Sequence, residues 1–162
     1  MLELLWQELT SGLPDGRHLE IVLIRVIIAT GLGAVIGLQR EKAGKPAGLR
    51  THILVSLGTA VVVLACAAVG MQQDALSRVI QGIVTGIGFI GAGSILKLSE
   101  EREIKGLTTA AGLWMTAAIG IAVALGAIGV AIIGTVLTII VLSVLGIVEA
   151  RYDTDKYSDK KE

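Results

Sequence analysis

The sequence predicts an all-α fold, a polytopic membrane bundle of five transmembrane helices with a glycine-rich third helix at its centre. Three observations carry that expectation. The chain is 53% hydrophobic and only 17% charged, with 21 glycines, which sets it apart from ordinary soluble domains. From Leu107 to Val148 there is no charge for 42 residues. As one helix that run would be roughly 63 Å long, about twice the hydrocarbon thickness, so it must fold back. The third observation is how the charges are sorted. Formal net charge is zero, yet eleven of the fourteen Lys and Arg fall in three short segments.

The third helix is read from VIQGIVTGIGFIGAGSILK (79–97), where Gly82, Gly86, Gly88, Gly91 and Gly93 fall within twelve positions. In water each would cost roughly 1 kcal/mol relative to alanine. In lipid the backbone must satisfy its own hydrogen bonds, and glycine lets a neighbouring helix come close. At about 100° per residue, Gly82, Gly86 and Gly93 share one side, with Gly88 and Gly91 nearly opposite. Grooves on two sides predict a helix packed between partners.

The other elements follow in order. Leu2, Leu5, Trp6 and Leu9 have amphipathic spacing, with Glu3, Gln7 and Glu8 opposite, which suggests a short interfacial helix ended by Gly12, Pro14 and Gly16. A disordered start is the alternative. Glu3 and Glu8 also stand where a cleavable signal peptide would be basic. The first span, about Glu20 to Leu38, has a small-residue ladder at Ala29, Gly33 and Gly37 and one charge, Arg25. A polar connection with Arg40, Lys42, Lys45 and Arg50 leads to the second span, about Thr51 to Val69. There His52, Ser56 and Ala60 form a ladder. The fourth span, about Leu107 to Leu125, carries Gly112, Thr116, Gly120 and Ala124 on one stripe. Gly126 and Gly129 mark the turn into a fifth, about Ile128 to Val148. The organisation is thus an N-terminal segment (1–18), a membrane unit (19–149) and a polar tail (150–162). Cys66 is alone, which excludes an intrachain disulfide framework.

Orientation follows from the basic residues. Besides the first connection, Lys97, Arg102 and Lys105 lie in the third, and Arg151, Lys156, Lys160 and Lys161 in the tail. Five spans place all three segments on one side, so the N-terminus is expected outside and the C-terminus in the cytoplasm.

Three blocks, GLGAVIGLQREKAGKPAGLRTHILVSLGTA (31–60), DALSRVIQGIVTGIGFIGAGSILK (74–97) and IKGLTTAAGLWMTAAIGIAVALG (104–126), resemble the MgtC/SapB family of bacterial inner-membrane proteins. The resemblance implies five spans with a cytoplasmic C-terminus, in agreement with the charges. Many members carry a folded cytoplasmic domain after the last span, where fourteen residues follow here. The family pattern often has an acidic residue before the arginine of the first connection; this chain has Gln39 before Arg40 and Glu41. The resemblance further implies a part in survival of magnesium limitation, acid stress and life inside host cells, by binding and modulating other membrane proteins. The expected partners are the bilayer, those proteins and further copies of this chain, with no nucleic acid, cofactor or metal.

Among single residues, Arg25 is the most unusual, a little over one turn inside its span. A bundle-facing cation needs a partner, with Asp74 the first candidate and Glu20 the second. Snorkelling to the interface is the alternative reading, and Asp74 also stands four residues before Arg78 as a local helix pair. In GKPAGLRTH (44–52), Pro46 stiffens a turn, Gly48 permits a tight bend, and Lys45, Arg50 and His52 could meet lipid phosphates or an acidic surface. In GLTTAAGLW (106–114), Thr108 and Thr109 are expected to cap a helix or bond a neighbour, and Trp114 to pack against another helix. No Asp or Glu lies at midplane depth in any span, and no nucleophile triad, phosphate loop or Cys/His cluster is visible. A non-enzymatic modulator is therefore expected ahead of a magnesium path. The alternative is a small oligomeric channel or transporter with a path near Arg25.

Overall fold

A computed structural model describes residues 1–11, 16–98 and 103–145. It contains helices α1 (Leu2–Ser11), α2 (Gly16–Lys42), α3 (Leu49–Ala68), α4 (Gln73–Gly93), α5 (Leu107–Ala124) and α6 (Ile128–Ile140). α6 runs on into a π-helical turn, Val141–Leu145. α2 to α5 are long and apolar enough to cross a membrane, and Ile128–Val144 forms a shorter apolar helix. The polar tail and the end of the predicted fifth span lie outside the described residues. The helical membrane bundle read from the sequence is the fold.

The predicted boundaries moved most at the third span. α4 begins at Gln73 and stops at Gly93 instead of reaching Lys97. The Ser94 hydroxyl turns back onto the Gly91 carbonyl at 2.7 Å, and the chain leaves the helix. The charged connection that follows then forms a small antiparallel hairpin, β1 (Leu96–Leu98) with β2 (Glu103–Lys105), Lys97 opposite Ile104. At the other turn the expectation held. α5 ends at Ala124 and α6 starts at Ile128, with Gly126 between them at φ +84°.

The small-residue ladders became the interior. A Cβ on Gly33 would lie 2.8 Å from the His52 carbonyl oxygen, and one on Gly37 would lie 2.7 Å from Leu49 Cα. α2 and α3 therefore touch backbone to backbone, as small residues allow in lipid. A Cβ on Gly120 of α5 would run into Thr59 Oγ1 and the Ser56 carbonyl of α3. Ser56 Oγ donates to the Ala29 carbonyl at 2.8 Å, and Thr59 Oγ1 donates to the Ala117 carbonyl at 3.2 Å. Buried hydroxyls thus find acceptors across two interfaces.

The centre of the bundle is α5, which corrects the expectation for the glycine-rich helix. α5 packs on α2, α3, α4 and α6 and buries ten residues, from Thr109 to Ala124. α4 buries only Ile87 and Gly91. A Cβ on Gly82, Gly86, Gly88 or Gly93 would meet nothing within 4 Å, and on Gly91 only Ala110, at 3.5 Å. The physical reason is complementarity. Glycine permits approach, but contact also needs a facing helix with its own small stripe. α5 meets such stripes on α3, whereas α4 lies at the edge.

Candidate functional site

The end of the bundle that holds the first polar connection gathers most of the predicted residues. α2 closes there with Gly44 in the left-handed region (φ +65°), its N–H bonded to the Glu41 carbonyl at 3.0 Å. The bend is therefore at Gly44 and not at Gly48, which is extended at φ −101° and precedes α3. Gly48 is needed for room instead, since a Cβ there would lie 2.9 Å from Glu41 Oε2. That same oxygen accepts the Leu49 N–H at 2.9 Å. Glu41 thus caps α3 from across the loop, where a carboxylate also meets the positive helix end. Lys42, Lys45, Pro46 and Arg50 are exposed around it.

Arg40 is not a loop residue. It is 3% exposed, and its Nη2 donates to Thr109 Oγ1 at 2.7 Å, linking the end of α2 to the first turn of α5. Thr109 is itself 2% exposed, while Thr108 points outward. Neither threonine caps α5; Gly106 precedes the helix, and the Thr109 hydroxyl is taken by the guanidinium. His52 on α3 is fully buried, with Nδ1 3.0 Å from the Gly48 carbonyl oxygen. Among the described residues its Nε2 finds no hydrogen-bond partner, and it faces Gly112 of α5, where a Cβ would lie 3.7 Å away. Arg40 Nε and Gln39 Oε1 are likewise buried with no hydrogen-bond partner among the described residues.

The candidate site is this buried set, Arg40, His52 and Thr109, contributed by α2, α3 and α5. A buried guanidinium is costly unless well paired, and among the described residues a single neutral hydroxyl receives it. Arg40 Nε–H is left as a donor, whereas His52, whose Nδ1–H faces the Gly48 carbonyl, leaves Nε2 as an acceptor, a combination that suits a water. Among the described residues no group of three His, Cys, Asp or Glu could hold a metal ion. The basic run in the sequence announced the loop but not this set, because Arg40 and Thr109 are 69 positions apart.

Arg25 and Asp74 are not brought together. Arg25 Nη1 donates to the Ala124 carbonyl at 2.7 Å, and no ion pair to Asp74 forms among the described residues. A Cβ on Gly126 would lie 2.7 Å from Arg25 Nη2. The guanidinium caps the free carbonyl end of α5, where the helix dipole also favours a cation. That end lies at the depth of Arg25 and outcompetes an exposed carboxylate on the peripheral helix. Trp114 is another correction. It remains 47% exposed, lining a shallow groove with Gly88, Gly91 and Ala110, because the glycines of α4 put no side chains over it.

The profile described as the MgtC family matches residues 26–151. The chain is 42% identical to Protein SrpB of Synechococcus elongatus over 142 residues, which cover 81% of this chain and 78% of SrpB. It is 42% identical to YhiD of Escherichia coli K12 over 132 residues, covering 75% of this chain and 59% of YhiD. Identity to Protein MgtC of Salmonella typhimurium is 39% over 115 residues, or 71% of this chain and 48% of that protein. The chain therefore spans about half the length of some of these relatives. No solved structure matches it.

Proposed function

The chain belongs to the MgtC family, and from that premise we propose that it is a non-enzymatic, multi-pass protein of the bacterial inner membrane that modulates other membrane proteins by helix contact. The setting is the adaptation to magnesium limitation, acid and intracellular life that the family resemblance implies. The observation that supports this reading is the outward side of α4. Gly82 and Gly93 meet nothing within 4 Å, and Phe89 between them is 85% exposed. Such a side offers bare backbone and one aromatic anchor to an incoming helix, whether from another protein or a second copy. The basic residues orient the reading, with the N-terminus outside, the C-terminus cytoplasmic and the membrane unit over 19–149.

A photoreactive residue at Thr85, exposed beside this side, tests it in native membranes. Adducts to a discrete membrane protein or to a second copy are expected, and Gly82→Leu should abolish them. A second reading, transport, is favoured by one relative, YhiD, whose name provisionally describes a magnesium transporter. Purified protein in liposomes separates the two. Saturable magnesium flux that follows the protein would reject the modulator.

A further inference from the structure

α3 and α4 are consecutive in the chain, yet α4 docks mainly on α5 and leaves α3 almost untouched. Between α3 and α4 lies an open groove of about 720 Å³. Leu54 and Gly58 line it from α3, and Ile83, Gly86 and Phe89 line it from α4, with Arg50 at one end. A Cβ on Gly58 or Gly86 would meet nothing within 4 Å, so small residues on both walls keep the groove open instead of closing it. The walls are apolar almost throughout. The charge is confined to the mouth, where Arg50 is exposed and the loop adds exposed Lys42 and Lys45 at the same end of the bundle.

We propose that this groove binds one anionic phospholipid, its phosphate on Arg50 and an acyl chain laid between α3 and α4. Charge complementarity selects the head, since basic residues beside a membrane helix attract anionic lipids. Length selects the chain. From Arg50 to Thr59 the groove runs roughly 13 Å along α3. That is about the depth of one leaflet and too short for a helix that must cross about 30 Å of hydrocarbon. Gly86 and Phe89 also belong to the side of α4 invoked for protein partners, so lipid and partner would share that wall. Arg50 and Gly58 lie on α3 alone, and changing them tests the lipid without altering α4.

The test is native mass spectrometry of the purified protein. Phosphatidylglycerol and phosphatidylcholine of matched chains are supplied in equal amounts. Retention of one phosphatidylglycerol, preferred by about fivefold, is expected. Arg50→Gln should erase the preference. Gly58→Leu should reduce retention of both lipids by filling the groove. An added Cβ at Gly58 or Gly86 meets open space and Arg50 is exposed, so folding should survive, and an unchanged melting temperature checks it. Excess inorganic phosphate should leave the lipid in place. Equal retention of the two lipids, or an unchanged preference in Arg50→Gln, would overturn the proposal. So would displacement by phosphate, or a dimer that loses its partner on Gly86→Leu and shows no lipid preference.

Discussion

α4 and α5 are both glycine-bearing helices of one chain, and they end in opposite places. α4 has five glycines between Gly82 and Gly93 and lies at the edge; α5 has Gly112 and Gly120 and lies at the centre. The difference shows what glycine does in a membrane bundle. It removes a steric obstacle, and the contact then depends on what stands opposite. Gly120 meets the Ser56 carbonyl and the Thr59 hydroxyl, whereas Gly82 meets nothing within 4 Å. A high glycine count with no facing helix marks a surface left open.

The largest expected effect breaks the central member of this comparison. Gly120→Leu forces a branched side chain into the α3 backbone, and overpacking of this kind costs about 1–3 kcal/mol, occasionally more. Folded yield in detergent should collapse, and a well-folded Gly120→Leu protein would remove α5 from the centre.

Next come the polar links that hold α5 to α2. Thr109→Val leaves the Arg40 guanidinium without its acceptor, at a cost of about 1–3 kcal/mol in thermal melting. Combining it with Arg40→Leu should cost less than the sum of the two single changes. Strict additivity would show that the 2.7 Å contact does not form. At the far end of α5, Gly126→Ala must hold alanine at φ +84° and displace Arg25, for about 1–2 kcal/mol. The same change in an Arg25→Ala background should lose part of that penalty, which a double-mutant cycle reads directly.

The smallest effect sharpens the peripheral member. Gly82→Ala should shift stability by no more than about 0.5 kcal/mol, as a surface change. Val136→Leu on α6, at a position 50% exposed, should do equally little. A severe loss in Gly82→Ala would return α4 to the core.

These outcomes also explain how much could be read from the sequence. Ala29, Gly33 and Gly37, His52, Ser56 and Ala60, and Gly112 to Ala124 announced their buried stripes by four-residue spacing, because helix geometry fixes which residues share a side. The turn at Gly126 was legible because the uncharged run is too long to be one span. Arg40 was not, since its burial depends on Thr109, 69 positions away, and no local pattern encodes that partner. Arg25 misled for a similar reason. A search for its partner among carboxylates misses a helix end, whose carbonyls carry no sequence signature, though the predicted turn at Gly126 already placed one at the right depth. The hairpin of β1 and β2 went unseen because pairing of three residues a side leaves too little alternation to detect.

The threading of the bundle has a consequence for how it is made. α3 packs closely on both α2 and α5, and α4 is synthesised between α3 and α5 with little to hold it until α5 arrives. The α2–α3 unit, joined by a short loop and capped by Glu41, can close as soon as it enters the bilayer. Its Ser56 hydroxyl already has the Ala29 carbonyl of α2, but Thr59 must wait in lipid, turned to its own helix at the Ser56 carbonyl, 3.0 Å away. Insertion of α5 completes the core in one late event, and a ribosome stalled before Leu107 would leave a chain whose most conspicuous helix has nothing to hold it.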